Sequence, residues 1–410
     1  MEEFDLKRGL LLGSTLGGVC SDGVTPGHPW GDWAVQRRVR ETDAFRLADH
    51  WEKWREDDAL LHGMGLECCR FVLDWARIQP EQDWFDDEAI AHVREEILYL
   101  RAMGVRVTLV LQECCDPVWF QKLGGWGKAD NVNFFLHYVE KIVRTVGHLV
   151  EDYVPVGQPN LYAWNGWYSG MWPPGVKSLY RTRQVMGGLV AAHIAGYKLI
   201  HELRDEFGLH GTRVGASIHM RMLRTKNKTP LGLVETGTVD KLFQIAMGEA
   251  MTCGKFPYPL PNYLRVKKGV YCDFHDLCCY TLPSVHAGSP VALREPDANE
   301  LLYCAATRSA MLRKPIFITE GPGLSAPSPQ RIYEIVRALS GAGLPVERWH
   351  ALPFADGAAL GPNGALPGLV AIDPETGARK LRPAGEFLSR MIRNRGVTAD
   401  MCRDYGATEE

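Results

Sequence analysis

The sequence lacks several signals that would assign its class directly. Its 410 residues contain no uninterrupted apolar run near the roughly 18–20 residues that span a bilayer. The opening residues, MEEFDLKRG, show no basic segment followed by an apolar stretch, as a secretory signal peptide would. An excess of charge is missing too, because 46 Lys+Arg and 49 Asp+Glu leave a net charge of −3. We therefore expect a cytoplasmic protein with neither nucleic acid nor a membrane as partner.

Two local motifs are also missing. No CxxC pair is followed by a second one, as in many zinc sites, and no GxGxxG follows the first apolar run. The eleven cysteines are an odd number, and six of them stand in the adjacent pairs Cys68–Cys69, Cys114–Cys115 and Cys278–Cys279. Neighbours on a strand point to opposite faces, so we expect reduced thiols and no bridge within a pair.

What recurs is a short apolar run with a polar end, followed by an amphipathic stretch. The runs are 9–15, 67–75, 105–113, 152–159, 213–220, 270–281, 315–323 and 347–354. Helical patterns cover 85–103, 132–150, 183–207 and 329–339. Alternation of this kind predicts an α/β fold, and eight strands in one chain predict a closed (β/α)8 TIM barrel as a single domain over 1–410. The alternative is a doubly wound open sheet.

Three connections are long, at 16–50, 221–269 and 355–368, and we predict that they are active-site loops. In a barrel, the loops that follow the strands form the face that carries the active site. Residues 396–410 are predicted to be a peripheral tail.

Several segments together resemble one family. CRFVLDWARIQPE (69–81) is similar to the Tyr-Arg-Phe-Ser-x-x-Trp-x-Arg-Ile-x-Pro segment of glycoside hydrolase family 1, the β-glucosidase-like retaining glycosidases. GQPNLYAWNGWYSGMWPPG (157–175) and PIFITEGPG (315–323) resemble, in the same order, the fourth-strand Asn-Glu-Pro and seventh-strand Ile-Thr-Glu-Asn-Gly segments. The resemblance implies a TIM barrel with its site at the carboxyl ends of the strands.

The resemblance also assigns catalytic positions. Glu320 falls on the nucleophile, and Gln158 falls on the acid/base carboxylate. Arg70 matches the arginine that faces the nucleophile, and its alternative is a structural ion pair with Asp74. Tyr280 matches the tyrosine that hydrogen-bonds the nucleophile, and its alternative is a barrel aromatic residue with a satisfied hydroxyl.

Gln158 is the central departure from the family pattern. An amide neither donates nor accepts a proton at neutral pH, so general acid–base help of about 10²–10⁴-fold is missing. Plant thioglucosidases of the family carry Gln at this position as well, which restricts them to good leaving groups. Otherwise another residue must replace the acid, and Glu113 is the preferred candidate. Further candidates are Asp116, Asp22, His275, Asp276, His350 and Asp356.

The positions that hold sugar hydroxyls have also changed. Cys20 replaces a Gln, Gly157 an Asn and Cys278 another Asn, while the third-strand His becomes Glu113 or Leu111, depending on the alignment. Trp349 matches the stacking platform. Each lost hydrogen bond is worth roughly 0.5–1.5 kcal/mol, so the ligand is predicted to be a modified or less hydroxylated small molecule.

A metal site was also considered. Cys20, Cys114 or Cys115, Cys278, His275 and Glu113 would supply suitable atoms at the barrel mouth, but their spacing matches no metal motif. We therefore expect no metal and no other cofactor, and a homo-oligomer remains open. Three functions remain: a glycosidase acting through Glu320 on a β-glycoside or modified sugar, a repurposed enzyme on a non-standard substrate, and an inactive binding or scaffold protein.

Overall fold

A computed structural model describes residues 1–24, 27–36, 49–225, 229–281, 291–292, 295–321, 325–358, 360 and 365–406. Its strands are β1 Phe4–Asp5, β2 Leu11–Gly17, β3 Cys68–Val72, β4 Arg106–Val110, β5 Asp152–Val154, β6 Arg213–His219, β7 Arg224–Thr225, β8 Phe274–Tyr280, β9 Val291–Ala292, β10 Ile316–Gly321, β11 Val346–Ala351, β12 Gly357–Ala358, β13 Ala365–Leu366, β14 Val370–Ile372, β15 Arg379–Leu381 and β16 Gly396–Val397.

Eight of these strands form a closed parallel barrel in the order β10-β11-β2-β3-β4-β5-β6-β8. Each of the eight apolar runs overlaps one barrel strand. Six runs contain the whole strand, whereas β2 extends two residues beyond its run and β11 begins one residue before its run. The predicted TIM barrel is therefore confirmed, and the open sheet is wrong.

Helices cover the barrel and its ends. The α-helices are α1 Pro29–Val35, α2 His50–Gly63, α3 Trp75–Ile78, α4 Asp87–Ala102, α5 Val118–Lys122, α6 Val132–Val146, α7 Pro159–Ala163, α8 Leu179–Glu206, α9 Pro230–Asp240, α10 Ala246–Cys253, α11 Ala298–Met311, α12 Pro329–Gly341, α13 Pro383–Asn394 and α14 Ala399–Tyr405. Short 3₁₀ turns lie at Gly125–Gly127, Ala129–Asn131 and Gly147–Leu149, and π-helical turns at Trp164–Tyr168 and Lys241–Ile245. The predicted helical stretches correspond to α4, α6, α8 and α12.

Local sequence signals explain where these helices begin. Ser328 precedes Pro329, and its hydroxyl accepts the amide hydrogen of Arg331 at 3.2 Å to cap α12. Asp86 caps α4 in the same way through the amides of Glu88 and Ala89, both at 3.0 Å. Caps of this type satisfy amide groups that have no partner within the helix.

The barrel interior fixes which side chains face inward. Val72, Val110, Val154, Phe274 and Phe317 form a cluster of their own, in which the two phenylalanine rings stack at 4.1 Å. Because side chains alternate along a strand, residues two positions from these also face the axis.

Two predictions about connections need correction. The stretch 221–269 is not a loop throughout, since about half of it forms α9, a π-helical turn and α10. The segment after Arg395 is not peripheral throughout, because β16 pairs with β1 and Met401 is fully buried. Parts of 16–50, 221–269, 355–368 and 396–410 lie outside the described residues. Among the described residues, no helix combines the length and the apolar character needed to cross a membrane.

Candidate active site at the barrel mouth

Arg70 on β3 joins two carboxylates inside the barrel. Its Nη1 and Nη2 donate to the oxygens of Glu113, just after β4, at 3.2 and 2.5 Å. Its Nε and Nη2 donate to Asp276 on β8 at 3.0–3.3 Å. Burial alone would lower the pKa of Arg70, but the two carboxylates hold that pKa well above its ordinary value. Asp276 is fully buried, whereas 15% of the Glu113 side chain is exposed, so Glu113 is the carboxylate of this group that a ligand can reach.

Gly157 makes the position of Glu113 possible. The two residues form a backbone bridge between the ends of β4 and β5, and the Glu113 side chain lies across the Gly157 Cα. A Cβ atom on Gly157 would lie 2.1 Å from Oε2 of Glu113. Glu113 can therefore occupy this position only because residue 157 is a glycine.

We expect Gly157→Ala to push the Glu113 carboxylate away from Arg70. The unfolding free energy should fall by about 1–3 kcal/mol, as for other insertions into packed sites, measured by urea denaturation. Gly237→Ala is the matched control, because a Cβ there meets nothing within 4 Å. Equal stabilities of the two variants would contradict the coupling.

A second polar group lies beside the first. Gln158 Oε1 accepts hydrogen bonds from the Tyr280 hydroxyl at 2.5 Å and from His219 Nδ1 at 3.3 Å. The backbone N–H of Gln158 donates to Ser217 Oγ at 3.1 Å. Burial raises the pKa of Tyr280 well above its ordinary value, and the charge of Glu113 adds to this. His219 was not among the predicted site residues, although it is a polar residue near the end of the apolar run 213–220.

Glu320 has a different environment from the one expected. Glu320 is paired with Cys279 of β8 and with Ala351 of β11. The residues before and after it in β10, Thr319 and Gly321, face the barrel axis, so the Glu320 side chain points the other way. Its carboxylate accepts from Arg331 of α12, through Nε at 3.0 Å and through Nη2. Burial raises its pKa, against the lowering effect of Arg331. Glu320 therefore faces the helical layer.

The contacts predicted around Glu320 are accordingly wrong. Arg70 pairs with Glu113 and Asp276, and Tyr280 donates to Gln158. The alternative partner of Arg70, Asp74, instead contacts His28 at 2.9 Å. Glu113 takes the place beside Arg70 that the resemblance assigned to Glu320.

The predicted sugar-contacting positions divide into two groups. Cys20 lines the mouth cavity. Burial, together with the negative charges of Glu113 and Asp22, raises the pKa of its thiol to about 12. Cys278 lies on the inward face of β8, where burial raises its pKa.

Two other positions lie away from the mouth. Arg348 faces the barrel axis, where its guanidinium carbon lies 4.3 Å from the centre of the Phe317 ring. The next residue, Trp349, pairs with Ile318 of β10 and therefore faces outward. The stacking platform predicted there is therefore wrong. Leu111 is fully buried, and its carbonyl accepts a hydrogen bond from Tyr138 at 2.8 Å. Of the two residues that could replace the third-strand His, Glu113 is therefore the one at the mouth.

The remaining acid candidates are held elsewhere. Asp116 accepts hydrogen bonds from Tyr162 and Trp126, and burial raises its pKa to about 7 although its hydrogen-bond donors lower it. His350 is fully buried. The other candidates each have a partner: His275 the Leu312 carbonyl, Asp356 Arg382, Asp22 the backbone N–H of Gly18, and Asp276 Arg70. Of the residues considered for a metal at the mouth, His275 faces the helices, and among the described residues Cys20, Cys114, Cys278 and Glu113 do not bring three ligand-type atoms within 4.8 Å of one another.

A small cavity of about 50 Å³ opens beside this group. It is lined by Thr15, Cys20, Arg70, Glu113, Cys114, Tyr280, Leu352, Leu360 and Leu366, with others from β2 and β3. Such a volume holds a few water molecules, whereas small-molecule pockets usually span about 300–1,000 Å³. In the described part of the chain, a sugar ring fits here only if the surrounding side chains move.

Comparison with known proteins identifies the family. The sequence model described as Glycosyl hydrolase family 1 matches residues 30–280. The chain belongs to this family. Beta-glucosidase A of Acetivibrio thermocellus is 26% identical over 172 residues, which cover 42% of this chain and 38% of that protein. Galactolipid galactosyltransferase SFR2 of Arabidopsis thaliana is 25% identical over 216 residues, 48% of this chain and 33% of that protein. The matches thus span little more than a third of these relatives.

Solved structures of family 1 enzymes share the fold over the whole chain. A beta-glycosidase from Pyrococcus horikoshii superposes with a TM-score of 0.84 at 22% identity, covering 99% of both chains. Beta-glucosidase from Thermotoga maritima, in complex with deoxynojirimycin, gives 0.84 at 17% identity and covers 96% of this chain and 100% of its own. At these identities the likeness concerns the architecture.

Proposed function

We propose that this family 1 barrel is a glycosidase-type enzyme whose reacting carboxylate is Glu113 rather than Glu320. The observation that carries the proposal is the Arg70–Glu113 pair beside the mouth cavity, with Glu113 partly exposed. The hydrogen bonds from Arg70 hold the Glu113 carboxylate in one orientation beside the cavity, and carboxylates serve as nucleophiles in glycosidases. Glu320, in contrast, is bound to Arg331 on the helix side.

The chemistry then follows from what each group can do. The Glu113 oxygen attacks the anomeric carbon and forms a glycosyl ester, while the leaving group departs with the electron pair of the broken bond. Gln158 has no proton to give, so the departing atom must leave as an anion. Water then attacks the anomeric carbon, the bond to the Glu113 oxygen breaks, and the proton of the attacking water passes to solvent because Gln158 cannot act as a base. Both steps favour glycosides of acidic alcohols or thiols.

The lining supports a sugar with few free hydroxyl groups. Cys20 and Cys114 are poor hydrogen-bond partners, and leucines close the other side of the cavity. A cavity lined by these residues discriminates against an ordinary glucoside, because several sugar hydroxyls would have no hydrogen-bond partner there. A modified or deoxygenated sugar loses less on binding.

A leaving-group series tests this function. We expect the protein to release dinitrophenolate from dinitrophenyl β-glycosides but no alcohol from alkyl β-glycosides. Azide should raise the rate of phenolate release about 10-fold or more, because it attacks the anomeric carbon of the glycosyl ester without needing a base. The measurement is the initial rate of phenolate release, with the glycosyl azide identified by NMR.

Gln158→Glu is the matched variant for this series. It supplies the missing carboxyl group, so unactivated glycosides should react about 10²-fold faster and the azide effect should disappear. Absence of release from every activated glycoside, by both proteins, would contradict the proposal.

A binding protein without turnover is the second candidate. The small cavity and the two hydrogen bonds from Arg70 to Glu113 favour it, because a paired carboxylate is a weaker nucleophile. It predicts that a glycoside or sugar mimic raises the melting temperature while no phenolate is released.

A further inference from the structure

A second polar cluster lies outside the barrel, between α2 and α4. His50, Asp57 and Asp58 belong to α2, Glu96 belongs to α4, and no side chain among them is more than 3% exposed. Positions 50, 57 and 58 share one helical face, because seven residues make two turns. One ligand-type atom from each of His50, Asp58 and Glu96 lies within 4.8 Å of the others.

Asp58 is the unexplained member of this cluster. Both of its carboxylate oxygens are buried and neither has a hydrogen-bond partner, although buried carboxylates are normally paired or bound to a metal. Protonation would not resolve this, since it would leave a buried hydroxyl donor and a carbonyl acceptor without partners. A cation beside Asp58 would satisfy both its charge and its oxygens.

His50 is oriented as a metal ligand would be. Its Nδ1 lies 2.9 Å from Asp57, an oxygen-only acceptor that also receives a hydrogen bond from Arg379 Nε at 3.0 Å. Nδ1 therefore carries the hydrogen, and Nε2 points to Glu96 Oε1 at 3.0 Å. A carboxylate behind the imidazole is the usual support of a metal-bound histidine.

We propose that His50 Nε2 and the carboxylates of Asp58 and Glu96 bind one divalent transition-metal ion, with zinc the first choice. One nitrogen and two carboxylate ligands with a position left for water suit zinc. Two ligands at about 2.0–2.2 Å from a metal, at right angles or wider, lie roughly 3.0–3.5 Å apart, which agrees with the 3.0 Å between His50 and Glu96. The metal replaces the proton that these two atoms otherwise share.

A neighbouring cluster shows why this selection is not arbitrary. His28, Asp74 and Cys115 also bring three ligand-type atoms together. There, however, Nδ1 of His28 accepts the Trp30 amide hydrogen at 3.2 Å, so Nε2 must carry the proton and donate to Asp74. That tautomer cannot bind a metal through Nε2.

The metal would act on the mouth from a distance. The amide of His50 donates to the Ser21 carbonyl at 2.9 Å, and the adjacent Cys20 lines the mouth cavity. Fixing His50 to α4 therefore also fixes the segment after β2. This role does not depend on the chemistry proposed for Glu113.

Metal analysis of the full-length protein tests the site. After exposure to zinc and desalting, wild type should retain about one zinc per chain by mass spectrometry, and zinc should raise the melting temperature by about 5 °C over the chelated protein. Magnesium should not. Asp58→Asn and Glu96→Gln should lose both effects. Glu95→Gln, an exposed neighbour on the same helix, should keep them.

Cobalt substitution separates this site from the cysteines. Cobalt bound by nitrogen and oxygen lacks the strong thiolate charge-transfer absorption in the ultraviolet. Wild type without retained zinc, zinc retention by Asp58→Asn, or a thiolate band in the cobalt protein would each overturn the proposal. An Asp58→Asn variant more stable than metal-free wild type would still fit it, because the change removes an uncompensated buried charge.

Discussion

Glu113→Gln is expected to lower the turnover of an activated aryl β-glycoside by about 10³-fold or more. The amide is nearly the same size but is not a nucleophile, and losing a nucleophile is among the largest effects a single substitution has on catalysis. The fold should survive, since Arg70 keeps its hydrogen bonds to Asp276. Initial rates at saturating substrate, together with circular dichroism, measure the two effects separately.

Glu320→Gln is the matched control for that prediction. The resemblance assigns the nucleophile to Glu320, whereas the orientation of its side chain toward Arg331 predicts a change of less than about 10-fold in rate. The reverse ranking of the two variants would contradict the assignment to Glu113.

A second measurement distinguishes a lost nucleophile from a distorted mouth. In Glu113→Ala, azide has room to attack the anomeric carbon from the side that the carboxylate leaves. The product should be a glycosyl azide of inverted configuration, whereas wild type gives the retained one. A distorted site would give neither product.

The sequence was enough to predict the barrel, because the eight runs and the helices between them repeat a local pattern. Run 105–113 shows how such a prediction works: residues 107, 109 and 110 are apolar, and this local pattern predicts a strand where β4 is found. The boundaries of α9 and α10 were missed because 221–269 is rich in Pro, Lys and Gly and has no clear amphipathic period.

The direction of individual side chains was not predictable in the same way. A shift of one residue moves a side chain to the opposite face of a strand, and the pairing of β10 with β11 contains such a shift between Ile316 and Phe317. Glu320 and Trp349 both lie beyond it and face the helices. The alignment of motifs carries no information on this shift.

The pairing of Glu113 with Arg70 was not predicted, although Glu113 was the preferred candidate for a replacement acid. The segment between β4 and α5 is two residues longer than the family pattern, so the alignment allowed Glu113 or Leu111. The deciding contact, the Glu113 carboxylate over Gly157, joins residues 44 positions apart and appears only when β4 and β5 are paired. The His50–Glu96 contact is similarly long-range, because it joins residues 46 positions apart.

Arg70→Met is expected to have the largest effect on stability. The guanidinium is 1% exposed and is the shared partner of Glu113 and Asp276. Removing one member of a buried ionic group usually costs about 3–5 kcal/mol, because the other charges stay buried without compensation. Urea denaturation at pH 7 measures this loss.

The exposed pair Arg55–Glu95 provides the control for Arg70→Met. Arg55→Met removes a guanidinium whose side chain is 60% exposed, and exposed pairs contribute only about 0–1 kcal/mol. Adding Asp276→Asn to Arg70→Met should recover part of the lost stability, since it removes one of the two uncompensated charges. A loss that Asp276→Asn does not reduce would mean that Arg70 stabilises the barrel through packing of its side chain rather than through its charge.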